Sequence, residues 1–103
     1  MSDALVVLSP AAEEDILEIG AFIGQRNFER SISFIDELNK FLAVVATSPG
    51  IGRKRRDLEG APNSIVFRRY PYVIYYEPLQ PFGIRVLRVL HGARDHSQFF
   101  GPH

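Results

Sequence analysis

Residues 84–100 read Ile84-Arg-Val-Leu-Arg-Val-Leu-His-Gly-Ala-Arg-Asp-His-Ser-Gln-Phe-Phe100. Val86, Leu87, Val89 and Leu90 form an apolar run that stops at His91-Gly92. Arg85, Arg88 and His91 are set among them. A guanidinium is costly to bury unless it is paired or its head reaches the surface. The pattern predicts one central strand over 84–91 whose cationic groups emerge at a binding surface. A polar segment follows and closes on Phe99 and Phe100, with a short helix or coil expected from Asp95.

Outward from this strand, Tyr72–Glu77 and Ser64–Tyr70 are two further strand-like runs. Pro71 and its neighbours mark a turn or bulge between them, and Pro78–Gly83 marks a turn before Ile84. Three consecutive strands with short connections predict an antiparallel meander. The segment 51–63 is glycine-bearing and holds Arg53-Lys54-Arg55-Arg56, which reads as loop. Ala4–Leu8 is a short apolar strand. Ser9-Pro10 then signals a helix start, with Glu13, Glu14 and Asp15 matching the dipole of the first turns. Ala12, Ile16, Ile19 and Ile23 share one helical face, and 24–27 is the expected break. A second helix is predicted from about Glu29 to Thr47, where Ile35, Leu38, Leu42 and Val45 form a stripe widened by Phe34 and Phe41. Ser48-Pro49-Gly50 ends it. The fold class is α+β: an N-terminal strand, a two-helix antiparallel hairpin, a three-stranded antiparallel meander and a short C-terminal helix or coil, in a single domain over 1–103. Helices on a sheet of four strands leave a groove or an uncovered edge.

The chain has no cysteine, which excludes disulfides and thiolate metal sites and makes an intracellular, cytoplasmic protein the expectation. No stretch reads as membrane-spanning or as a signal peptide. His96 and His103 have no partner at ligand spacing, so neither a metal nor another cofactor is expected. Net charge is zero but divided. Residues 1–50 hold 3 Lys/Arg against 8 Asp/Glu, net −5, and residues 51–103 hold 9 against 4, net +5. A basic half steers acidic partners whatever the total charge.

Four stretches in this order resemble the RelE/ParE superfamily of toxins from bacterial type II toxin–antitoxin pairs. They are Ser9-Pro10-Ala-Ala-Glu-Glu-Asp15-Ile16, Ser48-Pro49-Gly-Ile-Gly52, Tyr72-Val-Ile-Tyr-Tyr76 and Arg88-Val-Leu-His91-Gly-Ala-Arg94-Asp95. The last resembles the ParE branch most specifically. That branch implies inhibition of DNA gyrase by binding, without hydrolysis, and neutralisation by a ParD-like antitoxin in a hetero-oligomeric complex. The RelE branch implies ribosome-dependent cleavage of mRNA. Phosphodiester cleavage needs a base for the 2′-hydroxyl, a cation for the phosphate and an acid for the leaving oxygen. Val73 stands where RelE-type toxins place an arginine, and Phe99 or Phe100 where they commonly place a tyrosine. Arg94 matches a RelE-type arginine, and His91 is an acid–base candidate. The expectation is therefore no catalytic residue, the alternative being a nuclease using Arg88, His91 and Arg94. A degenerate toxin that retains only antitoxin binding is a third reading.

For the ParE reading, target-binding residues are expected at Arg68, Arg69, Arg88, Arg94, Phe99 and Phe100, on a sheet face free of helices. The antitoxin is expected on the helix hairpin, at Ile16, Ile19, Ile23, Phe34, Leu38 and Phe41. Sequence-specific DNA binding is not expected. Simpler roles stand beside these: arginines paired with Asp57, Glu59, Glu77 or Asp95, a His91 bonded to backbone, a solvated basic tetrad, and tyrosines packed as strand residues.

Overall fold

The computed structural model describes residues 4–101. Strand β1 (Leu5–Leu8) leads into α1 (Pro10–Arg26) and α2 (Phe28–Thr47). A 3-10 turn (Pro49–Ile51), β2 (Arg53–Lys54), β3 (Asn63–Phe67), β4 (Tyr72–Pro78), β5 (Gly83–His91) and a second 3-10 turn (His96–Phe99) follow. The strands form one sheet in the order β1-β5-β4-β3-β2. β1 runs parallel to β5, and the other neighbours are antiparallel. The α+β class, the helix hairpin and the β3-β4-β5 meander are those the sequence predicts, and β5 is an interior strand.

Three details differ from the sequence reading. Arg53-Lys54, expected in a loop, is a two-residue strand, so the sheet has five strands rather than four. β3 stops at Phe67, and Arg68–Tyr70 belong to the turn, where the Tyr70 N–H donates to the Phe67 carbonyl at 3.0 Å. α1 continues through Gly24 to Arg26, and the break is the single residue Asn27. Asn27 ends α1 with its N–H on the Ile23 carbonyl, and starts α2 by accepting from the Arg30 N–H at 3.0 Å.

Both helices cover one face of the sheet. Phe34, Leu38, Leu42 and Val45 of α2 pack with Ile74, Tyr76, Ile84 and Val86. Alternation along β4 sends Val73 and Tyr75 to the opposite face. There Tyr75, Leu58 and Leu90 form a second small core, closed by Leu87, Phe99 and Phe100. The C-terminal segment is thus the lid of the outer face.

Two glycines are required by close approach. Gly83 has φ +119°, and a Cβ there would collide with the Leu5 carbonyl of the neighbouring strand. A Cβ on Gly52 would strike the Tyr76 hydroxyl and lie 2.9 Å from the Ser64 carbonyl oxygen. The Tyr76 hydroxyl accepts from the Gly52 N–H at 3.0 Å and donates to the Pro49 carbonyl at 2.6 Å, fastening the 49–52 turn to the sheet. Tyr76→Phe leaves both backbone groups unpaired, and a loss of about 1–3 kcal/mol is expected in urea denaturation.

Candidate functional site

The strand that opens the sequence reading loses its parallel neighbour part-way. The β1–β5 register ends at Leu8 and Val86, which leaves the next backbone groups of β5 without a strand partner on that side. The start of α1 supplies substitutes. Ser9 Oγ donates to the Leu87 carbonyl at 2.9 Å while accepting from the Ala12 N–H as the helix N-cap. Asp15 Oδ2 accepts from the Val89 N–H at 3.0 Å. Both Asp15 oxygens also accept from Arg88, Nε at 2.8 Å and Nη2 at 2.7 Å. Asp15 is only 7% exposed, so its charge is tolerated through these three bonds. The same bonds hold the Arg88 pKa above the usual arginine value. Read from sequence, Asp15 has only a dipole role at the start of α1, whereas in the fold it is the partner of Arg88 and Val89. The available signal was a carboxylate within the Ala12–Ile16–Ile19 stripe, where an acid requires a partner.

Around Arg88 the family-like ending is tightly organised. The Arg88 and Arg94 guanidinium carbons lie 4.6 and 4.7 Å from the Phe99 ring centroid, so two cations flank one ring. Phe100 packs on Tyr75 at 4.7 Å between centroids. Phe99 and Phe100 therefore close the outer core as well as bordering the surface. His91 is exposed, and its Nδ1 accepts from the Ala93 N–H at 3.1 Å, the backbone role expected of it. The nuclease alternative would thus draw on an Arg88 already engaged by Asp15.

Beside this group lies a polar chain. Arg55 donates through Nε and Nη2 to Asp57 at 2.9 and 2.7 Å, and through Nη1 to the Tyr75 hydroxyl at 3.2 Å. Tyr75 is fully buried, and its hydroxyl lies 2.6 Å from His96 Nδ1. His96 Nε2 donates to the His91 carbonyl at 2.7 Å. A carbonyl only accepts, so in the neutral ring Nδ1 is left to accept from Tyr75. The chain ties the basic segment to the C-terminal lid. Hydrogen bonding from Arg55 holds the Asp57 carboxyl down at about 2, and raises the Arg55 pKa in turn. Arg55→Gln should return Asp57 to the ordinary carboxylate range, as read by NMR titration. Because the folded value is depressed, the pair's contribution is present above that ordinary range. It is lost as pH falls through about 2.

The other expected residues are distributed as follows. Arg68 is exposed and has no carboxylate within salt-bridge distance among the described residues, and the same holds for Arg53 and Arg94. Arg69 Nε lies 2.6 Å from Glu37 Oε1 with its side chain 72% exposed, and Glu37 also accepts from the Tyr70 hydroxyl at 2.7 Å. Arg69–Glu37 and Arg88–Asp15 thus join the basic half of the chain to the acidic half. Arg85–Glu77 is a pairing of the kind expected for the strand arginines, whereas Arg55, expected in a solvated tetrad, is paired with Asp57.

On the hairpin, Phe34 and Leu38 are enclosed in the core, while Ile16, Ile19, Ile23 and Phe41 are partly buried against it. The side chains that stand out are others: Leu17 is 73% exposed and Phe28 72%. They border a shallow groove of about 550 Å³ with Ile16, Ala21 and Ile35. Leu17 lies off the Ala12–Ile16–Ile19–Ile23 stripe, which is the signal the sequence offers, whereas Phe28 falls in period with Ile35 and Leu42 and only its exposure marks it out.

Among the described residues no group of three or more His, Asp or Glu side chains is arranged to hold a metal ion, and no helix is long and apolar enough to cross a membrane. His103 lies outside the described residues. A family model described as "ParE toxin of type II toxin-antitoxin system, parDE" matches residues 6–96. A search of curated proteins gives no match.

Proposed function

The chain belongs to the ParE toxins of type II toxin–antitoxin systems, and from that premise we propose that it arrests growth by binding DNA gyrase and is silenced by a ParD-like antitoxin. Mechanism in this reading is steric and electrostatic. The outer side of the sheet, the β3–β4 turn and the C-terminal lid approach the enzyme with Arg68, Arg69 and Arg94, and stabilise its cleaved-DNA state. Phe99 and Phe100 hold the lid in shape, and Arg88 anchors it from below.

The observation that carries this reading is the pairing of Arg88 with Asp15. A cation held by a buried carboxylate is neutralised before any phosphate arrives. Val73 adds no charge beside it. Among the described residues, Arg68 and Arg94 remain free for a partner as exposed guanidiniums on a rigid support, with Arg69 exposed beside them but paired with Glu37, which suits recognition.

The antitoxin is placed on the hairpin groove. An amphipathic helix could lay apolar residues against Ile16, Leu17 and Phe28, with Ile19, Ile23, Phe34, Leu38 and Phe41 supporting that surface from beneath or beside it. The cytoplasm, where both partners would meet, is the compartment this implies.

The test is a supercoiling assay with purified gyrase. The wild-type chain should inhibit supercoiling and accumulate cleaved DNA. Arg68→Glu combined with Arg94→Glu should raise the concentration needed by about tenfold or more, with folding retained by circular dichroism. Unimpaired supercoiling with the folded wild-type chain would remove gyrase as the target.

A further inference from the structure

A small cleft lies where the C-terminal end of β5 passes α1. It holds about 230 Å³ and is bordered by Glu18, Ile19 and Phe22 of α1, by Tyr72 at the start of β4, and by His91 and Arg94. Drug-sized ligands occupy sites of roughly 300–1,000 Å³, so this one suits a molecule no larger than an amino acid.

Tyr72 singles the cleft out. It is only 8% exposed, and its ring packs in the main core beside Phe34. A buried tyrosine hydroxyl ordinarily finds a hydrogen-bond partner. The other three tyrosines do: Tyr70 donates to Glu37, Tyr75 to His96 and Tyr76 to the Pro49 carbonyl. The Tyr72 hydroxyl has no partner among the described residues, and burial alone pushes its pKa up. It therefore keeps its proton and stands as a donor. No fully enclosed side-chain polar atom lacks a partner among the described residues, so this hydroxyl opens on the cleft that Tyr72 borders.

Two further donors border the same space. The His91 ring stands edge-on to Tyr72 at 5.6 Å between centroids. Its Nδ1 accepts from the Ala93 N–H, so the neutral ring carries its proton on Nε2, which has no partner among the described residues. Arg94 is exposed, with no carboxylate in salt-bridge distance among those residues. Facing these donors is one carboxylate without an ion-pair partner, Glu18, since Asp15 is taken up by Arg88 and the Val89 N–H. Ile19 and the exposed Phe22 supply an apolar wall.

We propose that this cleft binds a free α-amino acid with an apolar side chain. The carboxylate accepts from the Tyr72 hydroxyl, His91 Nε2 and Arg94, the ammonium meets Glu18, and the side chain lies against Ile19 and Phe22. A dianionic phosphate would meet a single free cation and face Glu18, so it fits less well. The proposal concerns the chain alone and holds whether or not gyrase is the toxin's target.

The test is an NMR titration of the whole chain with leucine, with isocaproate, which lacks the ammonium, and with leucinamide, which lacks the carboxylate. Leucine should shift the Tyr72 and His91 ring signals to saturation, and each analogue should bind about tenfold more weakly. Tyr72→Phe removes only a hydroxyl that has no partner among the described residues. Its urea midpoint should match the wild type while leucine binding weakens about tenfold. Glu18→Gln should weaken the binding of leucine and not that of isocaproate. No saturable shift with leucine, wild-type affinity in the folded Tyr72→Phe chain, equal binding of leucine and isocaproate, or tighter binding of inorganic phosphate would each overturn the proposal.

Discussion

Asp15→Ala will destabilise the protein by about 3–5 kcal/mol, measured by urea denaturation. The substitution removes both oxygens that receive Arg88 and the carboxylate acceptor of the Val89 N–H. It strands a guanidinium whose side chain is 21% exposed and a backbone donor within the sheet. Arg88→Ala should cost a comparable amount, because an unpaired carboxylate then remains at a nearly buried site. Asp15→Asn keeps an acceptor for Val89 and should lose less. Replacing both partners with apolar residues of similar size should cost less than the sum of the single changes, since no lone charge is left. These variants should lose growth arrest and antitoxin binding together, as folding fails. A stable Arg88→Ala protein that had lost only toxicity would instead place Arg88 in the target contact.

Phe34→Ala is expected to cost about 3–5 kcal/mol, a large share of the stability of a small domain. Phe34 is fully buried and touches three other aromatic rings, Phe67, Tyr70 and Tyr72, at centroid distances of 6.2, 5.0 and 5.8 Å. Removing it opens a cavity under the centre of the hairpin. Leu17→Arg makes the contrast. Leu17 stands out from the same hairpin, so its replacement should change stability by within about 0.5 kcal/mol. If the antitoxin sits in the groove, Leu17→Arg should abolish its binding while growth arrest persists. The pair of variants separates a residue that builds the surface from one that forms it.

The elements that were legible in the sequence carry strong local signals. Ser9-Pro10 announced α1 because capping chemistry is written in adjacent residues. β5 was readable from its β-branched run, and the meander from its turn residues. β2 was not legible, because a two-residue strand has no period. Arg53 and Lys54 are strand only through their pairing with Ser64 and Asn63. The passage of α1 through Gly24 was also hidden. Glycine costs about 1 kcal/mol in a helix interior, but here Gly20 and Gly24 sit against Ser31, whose hydroxyl donates to the Gly20 carbonyl at 2.8 Å. Tertiary packing overrides the local preference.

The candidate site was legible in its residue types more than in their partners. Arg88 stood out as a cation that had to be paired or surface-directed, yet its partner lies 73 positions away in the first helix. The carboxylates nearest to Arg88 in sequence, Glu77 and Asp95, are not its partners. Likewise the stripe that includes Phe34 and Leu38 reads as apolar from the sequence, but periodicity does not say whether such a stripe meets its own sheet or another protein. Burial decides that, and it turns the exposed role to Leu17 and Phe28.

The central claim is that this toxin acts by occupying another macromolecule, with its best-placed arginine neutralised by Asp15. It is tested most directly by adding the purified chain to a reconstituted translation system and mapping the ends of the message. The message should remain intact at concentrations that inhibit gyrase. Codon-specific cuts that disappear in an Arg94→Ala or His91→Ala variant would contradict the claim.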